Sequence, residues 1–357
     1  MNSNKCINIL EKDNIDAMLL MNEANMHYIC DFSPSEGIIL IFKNGKAYHI
    51  VDSRYTETAQ NHAKQTKLEV IEINNNFYDE ITKLLNENNV KTLYFENETI
   101  SLKAFNLLND SNTKIEFIPL NNKIMELRNI KEEYEIELMK QANNIAEKSY
   151  IELLNHIQVG KSEKELAAYF NYLMDKNGSY GLSFDTILLT GTHTSMPHGT
   201  PSDRQIKEGD FVLFDFGATY KGYHSDMTRT IAIGYATDEM VNDYNLVLQA
   251  QLAGINALNA NIKCKDVYVA AYTVLDKQNK AKYFRHGLGH GIGIEIHEGY
   301  NASPKSNDTY TIGNVTSIEP GIYLPNKYGI RIEDMLYLSP NGKVNLSTVP
   351  KELNIIK

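Results

Sequence analysis

Residues 211–234 read FVLFDFGATYKGYHSDMTRTIAIG, and this stretch decides the fold of the larger part of the chain. β-branched and aromatic residues crowd both halves, while Tyr220–Lys221 and Gly222 mark a bend, the pattern of two strands around a tight turn. With the turn centred between Tyr220 and Lys221, Asp215 lies directly opposite Asp226. Opposed residues on one sheet face have Cβ atoms roughly 4.5–5.5 Å apart, where like charges repel. Both arms are too apolar to form a solvated surface. Two carboxylates forced together there need a cation between them, or one must hold a proton. A metal site is the simplest answer.

Further downstream the arrangement repeats. Glu319 in VTSIEPGIYL and Glu333 in GIRIEDMLYL lie in segments that read as paired strands joined across PNKYG. With a centre near Asn326 they face each other, although Pro320 and Gly321 leave the register open at that point. His290 comes from a third element, FRHGLGHGIGIEIHEG, where Gly287, Gly289, Gly291 and Gly293 leave the backbone room for close approach.

Upstream, Ile130, Tyr134, Leu138, Ala142, Ala146 and Tyr150 recur every four residues with charges elsewhere, which predicts a long amphipathic helix. The domain boundary falls just before it, dividing the chain into residues 1–124 and 125–357. Further helices are expected over about 162–177, 238–259 and 264–278. The first 120 residues alternate short strands with helices, the helices falling near 5–14, 56–66 and 77–88. GIILIF (37–42) and AYHIVD (47–52) form a hairpin, with Asn44–Gly45 suited to a type I′ turn, and TLYFE (92–96) is a further strand. The fold class is α/β (α+β), in two domains.

At 357 residues the chain is long enough for two cores. A net charge of −10 argues against a general nucleic-acid binder, which needs a basic face. The opening MNSNKCINILEKDNIDAMLL has no uninterrupted apolar run of the signal-peptide kind, and no stretch has the roughly 18–20 apolar residues of a membrane span. Cys6, Cys30 and Cys264 are far apart and without CxxC spacing, which fits reduced thiols in a cytoplasmic protein. Sequons such as those at Asn97 and Asn307 are expected by chance in so Asn-rich a chain.

Other motif readings fail. DFG has neither a Gly-rich phosphate loop with a strand lysine before it nor an HRD, so it is not a kinase signature. HEGYN places Asn301 where a zincin needs histidine, and GLGHGIG places Ile292 where the dinucleotide fingerprint needs glycine. His27, His49, His62, His156, His193 and His224 read as structural or surface residues.

The order Asp215, Asp226, His290, Glu319, Glu333, with the flanking words DFGA, SDMTRT, GHGIG, EIHE, IEPGIY and RIED, resembles the pita-bread metallopeptidases. The words match the proline-specific branch of that family, aminopeptidase P and prolidase. NMHYICDFSPSEGIILI and VDSRYTETA resemble, more loosely, the smaller N-terminal domain of those enzymes. The resemblance implies a catalytic domain of antiparallel sheet flanked by helices, and two divalent metal ions, Mn²⁺ first with Co²⁺ or Zn²⁺ as alternatives. Asp226 and Glu333 would bridge the ions, with Asp215 on one and His290 with Glu319 on the other. A water held between them would be the nucleophile, and Glu319 its proton acceptor. His198 in SMPHGT and His297 match histidines that contact the scissile carbonyl and the tetrahedral intermediate. His286 matches a wall of the proline pocket, and Arg331 an arginine that orients the carboxylates or the substrate terminus.

The activity so implied is that of an Xaa-Pro aminopeptidase, with Xaa-Pro dipeptidase as the alternative. A creatinase-like metal-free hydrolase or a non-enzymatic binding module would not need all five ligands. The expected partners are small peptides with proline second and a second copy of the chain in a homodimer, with no nucleic acid and no membrane.

Overall fold

Short apolar runs separated by polar breaks give the first part of the chain a six-stranded sheet. The strands are β1 (Ala17–Leu20), β2 (Gly37–Phe42), β3 (Ala47–Val51), β4 (Glu69–Glu72), β5 (Thr92–Phe95) and β6 (Glu116–Pro119), in the order β4-β3-β2-β1-β5-β6. The computed structural model describes residues 2–32, 34–73 and 76–357; Ser33, inside the NMHYICDFSPSEGIILI segment, lies outside them. β1 is buried along its whole length because it is central, antiparallel to β2 and parallel to β5. Leu19, Leu40, Ile50, Leu85 and Leu93 fill the core. The β2–β3 hairpin departs from the type I′ expectation. Its loop is three residues long, closed by Phe42 N–H on Lys46 O (2.9 Å) and Gly45 N–H on Phe42 O (3.0 Å), and of the three only Gly45 has positive φ. A type I′ turn needs positive φ at two central residues.

The chain forms two compact units, Met1–Arg128 and Asn129–Lys357. In the second, the long helix runs Glu133–Leu154, opened by a reciprocal cap between Glu132 and Glu135. Its buried face is Ile136, Met139, Ala142, Ala146, Tyr150 and Leu153, whereas Ile130 and Tyr134 are each 43% exposed. A stripe on every fourth residue precesses about 40° per step around a helix of 3.6 residues per turn, so the expected stripe winds off the core face at its N-terminal end. This helix and Glu163–Lys176 pack Ala146, Tyr150 and Phe170 on Phe214 and Phe216 of a four-stranded sheet. That sheet contains Ile187–Thr190, Phe211–Phe216, Met227–Ile233 and Ile355–Ile356. Helices Asp238–Ala257 and Cys264–Asp276 contribute to a second core with Ile318, Ile322, Ile330 and Leu336. Ile318 and Leu336 belong to a five-stranded sheet, Ile322 and Ile330 to a two-stranded ribbon.

The hairpin of residues 211–233 turns one residue later than its sequence suggested. Lys221 (φ +46°) and Gly222 (φ +80°) occupy the two central positions, both left-handed as a type I′ turn requires. Thr219 pairs with His224, Phe216 with Met227, and Asp215 with Thr228. Asp215 is therefore opposite Thr228, not Asp226. Asp226 falls level with Gly217, in a break where a Cβ on Gly217 would sit 1.9 Å from the Ser225 carbonyl oxygen. In the second carboxylate pair Ile318 pairs with Asp334 on one side and Gly321 with Arg331 on the other, which brackets Glu319 opposite Glu333.

Candidate metal centre

Each candidate side chain stands where regular pairing stops, because strand ends project groups that a continuous ladder would hold apart. Asp215 is next to last in Phe211–Phe216, and Asp226 immediately precedes Met227–Ile233. Glu319 follows Val315–Ile318, and Glu333 sits between Tyr328–Arg331 and Asp334–Ser339. His290 is the middle residue of Gly289–Gly291. Here the glycines matter sterically: a Cβ on Gly289 would lie 1.9 Å from Ser317 O, and one on Gly291 2.1 Å from Glu298 O. Larger residues would push this strand off its neighbours and carry His290 away.

The five side chains, with His198, His286, His297 and Arg331, line one cavity of about 550 Å³. Ligand atoms of Asp226, His290 and Glu333 lie within 4.8 Å of one another. His290 Nε2 is 3.5 Å from Asp226 Oδ2 and 3.6 Å from Glu319 Oε1. Its Nδ1 faces the Gly291 carbonyl at 3.1 Å, which places the proton on Nδ1 and leaves Nε2 as the free lone pair. Burial, reinforced by His297, pushes the imidazole down to about 4, so it is neutral at physiological pH. The carboxylates respond in the opposite sense. Burial first, then Glu333, Asp215 and Glu319, raises Asp226 far above the ordinary aspartate range. Burial and the charges of Glu319 and Asp215 do the same to Glu333, and burial above all pushes Glu319 up to about 8.

Two buried oxygens, Asp215 Oδ1 and Glu333 Oε1, have no hydrogen-bond partner among the described residues. Buried polar atoms are rarely left so. Four carboxylates, three of them (Asp226, Glu319 and Glu333) with raised proton affinity, two orphaned oxygens and one neutral imidazole with its lone pair facing them form a hard donor set that fits divalent cations.

Thr228 and Tyr323, which the sequence reading did not single out, join Arg331 and His286 around these ligands. The Thr228 hydroxyl donates to Glu333 Oε2 (2.7 Å) and accepts from Arg331 Nε (3.0 Å). Arg331 donates from Nη1 to the Tyr323 hydroxyl (2.7 Å) and from Nη2 to Asp215 Oδ2. The cation beside Asp215 is thus a guanidinium on the ligand side. Tyr323 O–H reaches His286 Nε2 (3.0 Å), and His286 Nδ1 reaches Gly287 O (2.7 Å), so both ring nitrogens of His286 are engaged and it serves as a wall. His198 and His297, in contrast, are exposed. His297 precedes Glu298, whose carboxylate forms a buried ion pair with Lys131 (2.6 Å, both side chains 1% exposed). The one weak signal for Thr228 was its position two after Asp226, on the same strand face. Tyr323 reads as an ordinary strand former. Among the histidines read as structural, His224 contacts Thr219 and His193 contacts Glu163.

Fold and site together define a metal-dependent hydrolase of the pita-bread class. Residues 137–340 match metallopeptidase family M24, and residues 3–130 match the creatinase/prolidase N-terminal domain. The chain belongs to metallopeptidase family M24. It is 34% identical over 349 residues to an Xaa-Pro dipeptidase of Pyrococcus furiosus, covering 98% of each chain. Among solved structures it resembles an Xaa-Pro dipeptidase from Bacillus anthracis (TM-score 0.94, 35% identity, 100% of this chain and 99% of that one). An X-Pro aminopeptidase from Thermotoga maritima is equally similar (TM-score 0.93, 36% identity, 100% of both chains).

Proposed function

We propose that this metallopeptidase hydrolyses the bond between an N-terminal residue and a following proline, and that it acts on peptides of three or more residues. The observation that carries this reading is the ligand set, Asp215, Asp226, His290, Glu319 and Glu333 around one cavity, with two buried carboxylate oxygens left without partners. Two divalent ions held by these residues, Mn²⁺ first, would supply the charge that polarises the scissile carbonyl and acidifies a water. Glu319, which lines the cavity with its Oε1 3.6 Å from His290 Nε2, accepts a proton from that water at a carboxylate oxygen. His198 and His297, exposed at the cavity, donate hydrogen bonds to the carbonyl oxygen as negative charge builds on it. His286 and Tyr323 wall the space for the proline ring. A proline nitrogen has no N–H, so the substrate is held by its ends and its ring.

Arg331 bears on peptide length. Among the described lining residues it is the one permanently charged cation, and its Nε, Nη1 and Nη2 donate to Thr228, Tyr323 and Asp215. The free carboxylate of an Xaa-Pro dipeptide would meet no uncommitted cation in this cavity, whereas a longer peptide presents a neutral amide there. The relatives named Xaa-Pro dipeptidase support cleavage of dipeptides as the second reading. Three buried free cysteines support a reducing, cytoplasmic setting, and we take the working form to be a homodimer.

The test is an assay of Mn²⁺-loaded protein on Xaa-Pro, Xaa-Pro-Yaa and Xaa-Ala-Yaa. Xaa-Pro-Yaa should exceed the dipeptide in kcat/KM by about tenfold or more, the penalty of an unpaired carboxylate, and the alanine peptide should not be cut. Glu319→Gln should lose about 10²–10⁴-fold in rate. Cleavage confined to dipeptides would establish the second reading, and an unchanged rate in Glu319→Gln would remove Glu319 from the proton-accepting role.

A further inference from the structure

A buried carboxylate away from the ligand cluster holds both ends of the loop that carries His198. Glu163 is the first residue of the helix Glu163–Lys176 and is 0% exposed. Its Oε1 accepts from Thr190 N–H (2.7 Å) and Thr190 Oγ1 (3.0 Å). Its Oε2 accepts from Ser202 N–H (2.9 Å), Ser202 Oγ (2.6 Å) and His193 Nδ1 (3.2 Å). Thr190 ends a strand and Ser202 lies twelve residues on, with His198 between them. The backbone reinforces the second end: Glu163 N–H donates to Arg204 O (3.0 Å) and Lys164 N–H to Ser202 O (3.1 Å). Inside the loop, the Thr194 hydroxyl accepts from Gly329 N–H (2.7 Å), in the strand that ends at Arg331.

From this geometry we infer that Glu163 is a positioning residue for His198. It gathers the two loop ends and sets the height at which the imidazole meets the cavity. Five donors converge on it, and an ionised carboxylate is the acceptor-only side chain suited to them. Glutamine has the same shape but turns one end into a donor. That end faces either the Thr190 pair or the Ser202 and His193 group, so one loop end is repelled. The effect on turnover rests on the role given to His198 under the proposed function; the effect on His198's placement does not.

The experiment is a double-mutant cycle on the metal-loaded enzyme with Glu163→Gln, His198→Ala and the pair. Glu163→Gln should lower kcat/KM by about 10- to 100-fold, the loss that follows from misplacing a reacting group by about 1 Å, with metal affinity unchanged. In the His198→Ala background it should add nothing. Where His198→Ala itself slows turnover, losses that multiply, a wild-type rate in Glu163→Gln, or an equal loss of metal affinity would overturn the inference. Should Glu163→Gln fail to fold, Ser202→Ala and Thr190→Val each delete one donor and enter the same cycle. NMR of isotope-labelled histidine in Zn²⁺-loaded protein gives the direct readout, the His198 resonance being the one missing in His198→Ala. That resonance should shift in Glu163→Gln, and an unmoved resonance refutes the positioning. If His198→Ala itself leaves turnover unchanged, it is the catalytic role of His198 that falls, while the resonance still decides the role of Glu163.

Discussion

Thr228→Val removes one hydroxyl and almost nothing else, since valine has nearly the same shape and residue 228 is 0% exposed. Among the described residues that hydroxyl is the one hydrogen-bond donor to the Glu333 carboxylate, whose other oxygen has none. It is also the acceptor for Arg331 Nε. Hydrogen bonds to charged groups are worth about 1.5–3 kcal/mol each, and the substitution strands both partners. Without its donor Glu333 holds a proton more tightly still, and a metal must displace that proton. Loss of a group that orients a ligand typically weakens metal binding about 10- to 100-fold, equivalent to about 1.4–2.7 kcal/mol. Calorimetric titration of Mn²⁺ into metal-free wild type, Thr228→Val and Thr228→Ser at pH 7.5 measures this directly. Serine keeps the hydroxyl and should bind within about threefold of wild type, a difference of about 0.7 kcal/mol. If the valine variant also binds within about twofold, Thr228 does not organise the site and the reasoning fails.

The metal-free protein should lose stability as pH rises from 6.5 to 8. Glu319, pushed up to about 8, and Asp226 and Glu333, raised in the same direction, keep protons in the folded state that the unfolded chain has already released near its ordinary value of about 4. His286 and His290, pushed down to about 3 and 4, contribute the opposite slope but only below the ordinary histidine value of about 6.5. Thermal melts in chelator should therefore show a midpoint that falls over that interval, and Mn²⁺ should flatten it; a rising midpoint contradicts the assignment. Gly217→Ala should destabilise the protein by about 1–3 kcal/mol or more and weaken metal binding, because the added methyl meets the Ser225 carbonyl at 1.9 Å between the two aspartates. Urea unfolding checks it, and an unchanged midpoint would show that the break closes without strain.

How much the sequence disclosed follows from which physical signals are local. The strands at 211–216 and 227–233 are visible because burial favours runs rich in apolar and β-branched residues, each broken by a single charged residue, Asp215 and Arg229. Their register is not, because Tyr220–Lys221 and Lys221–Gly222 both read as bends. The difference lies in which two residues take positive φ. That single step exchanges Asp226 for Thr228 as the partner of Asp215. Carboxylates, histidines and a lone arginine draw notice because burying them is costly, and all nine of those singled out line one cavity. Thr228 and Tyr323 draw none, since threonine and tyrosine are common in any strand. Glu163 hides for a related reason: an acidic residue in the first turn of a helix is ordinary, and nothing nearby in sequence tells that Thr190 and Ser202 will fold back onto it.

The Lys131–Glu298 ion pair bears on where an autonomous catalytic fragment can begin. The match to the family's catalytic domain starts at residue 137 and that to the N-terminal domain ends at residue 130, so the six residues between them belong to neither. Yet Lys131 supplies the buried positive charge beside the His297 loop, its backbone N–H is bonded to Gly313 O, and Asn129 O accepts from Asn314. A fragment cut at the first matched residue would enclose the Glu298 carboxylate without the Lys131 ammonium. Breaking such a pair costs about 3–5 kcal/mol, against the 5–15 kcal/mol that holds a typical domain together. The smallest piece able to stand alone therefore starts at the polypeptide that seems only to lead into it.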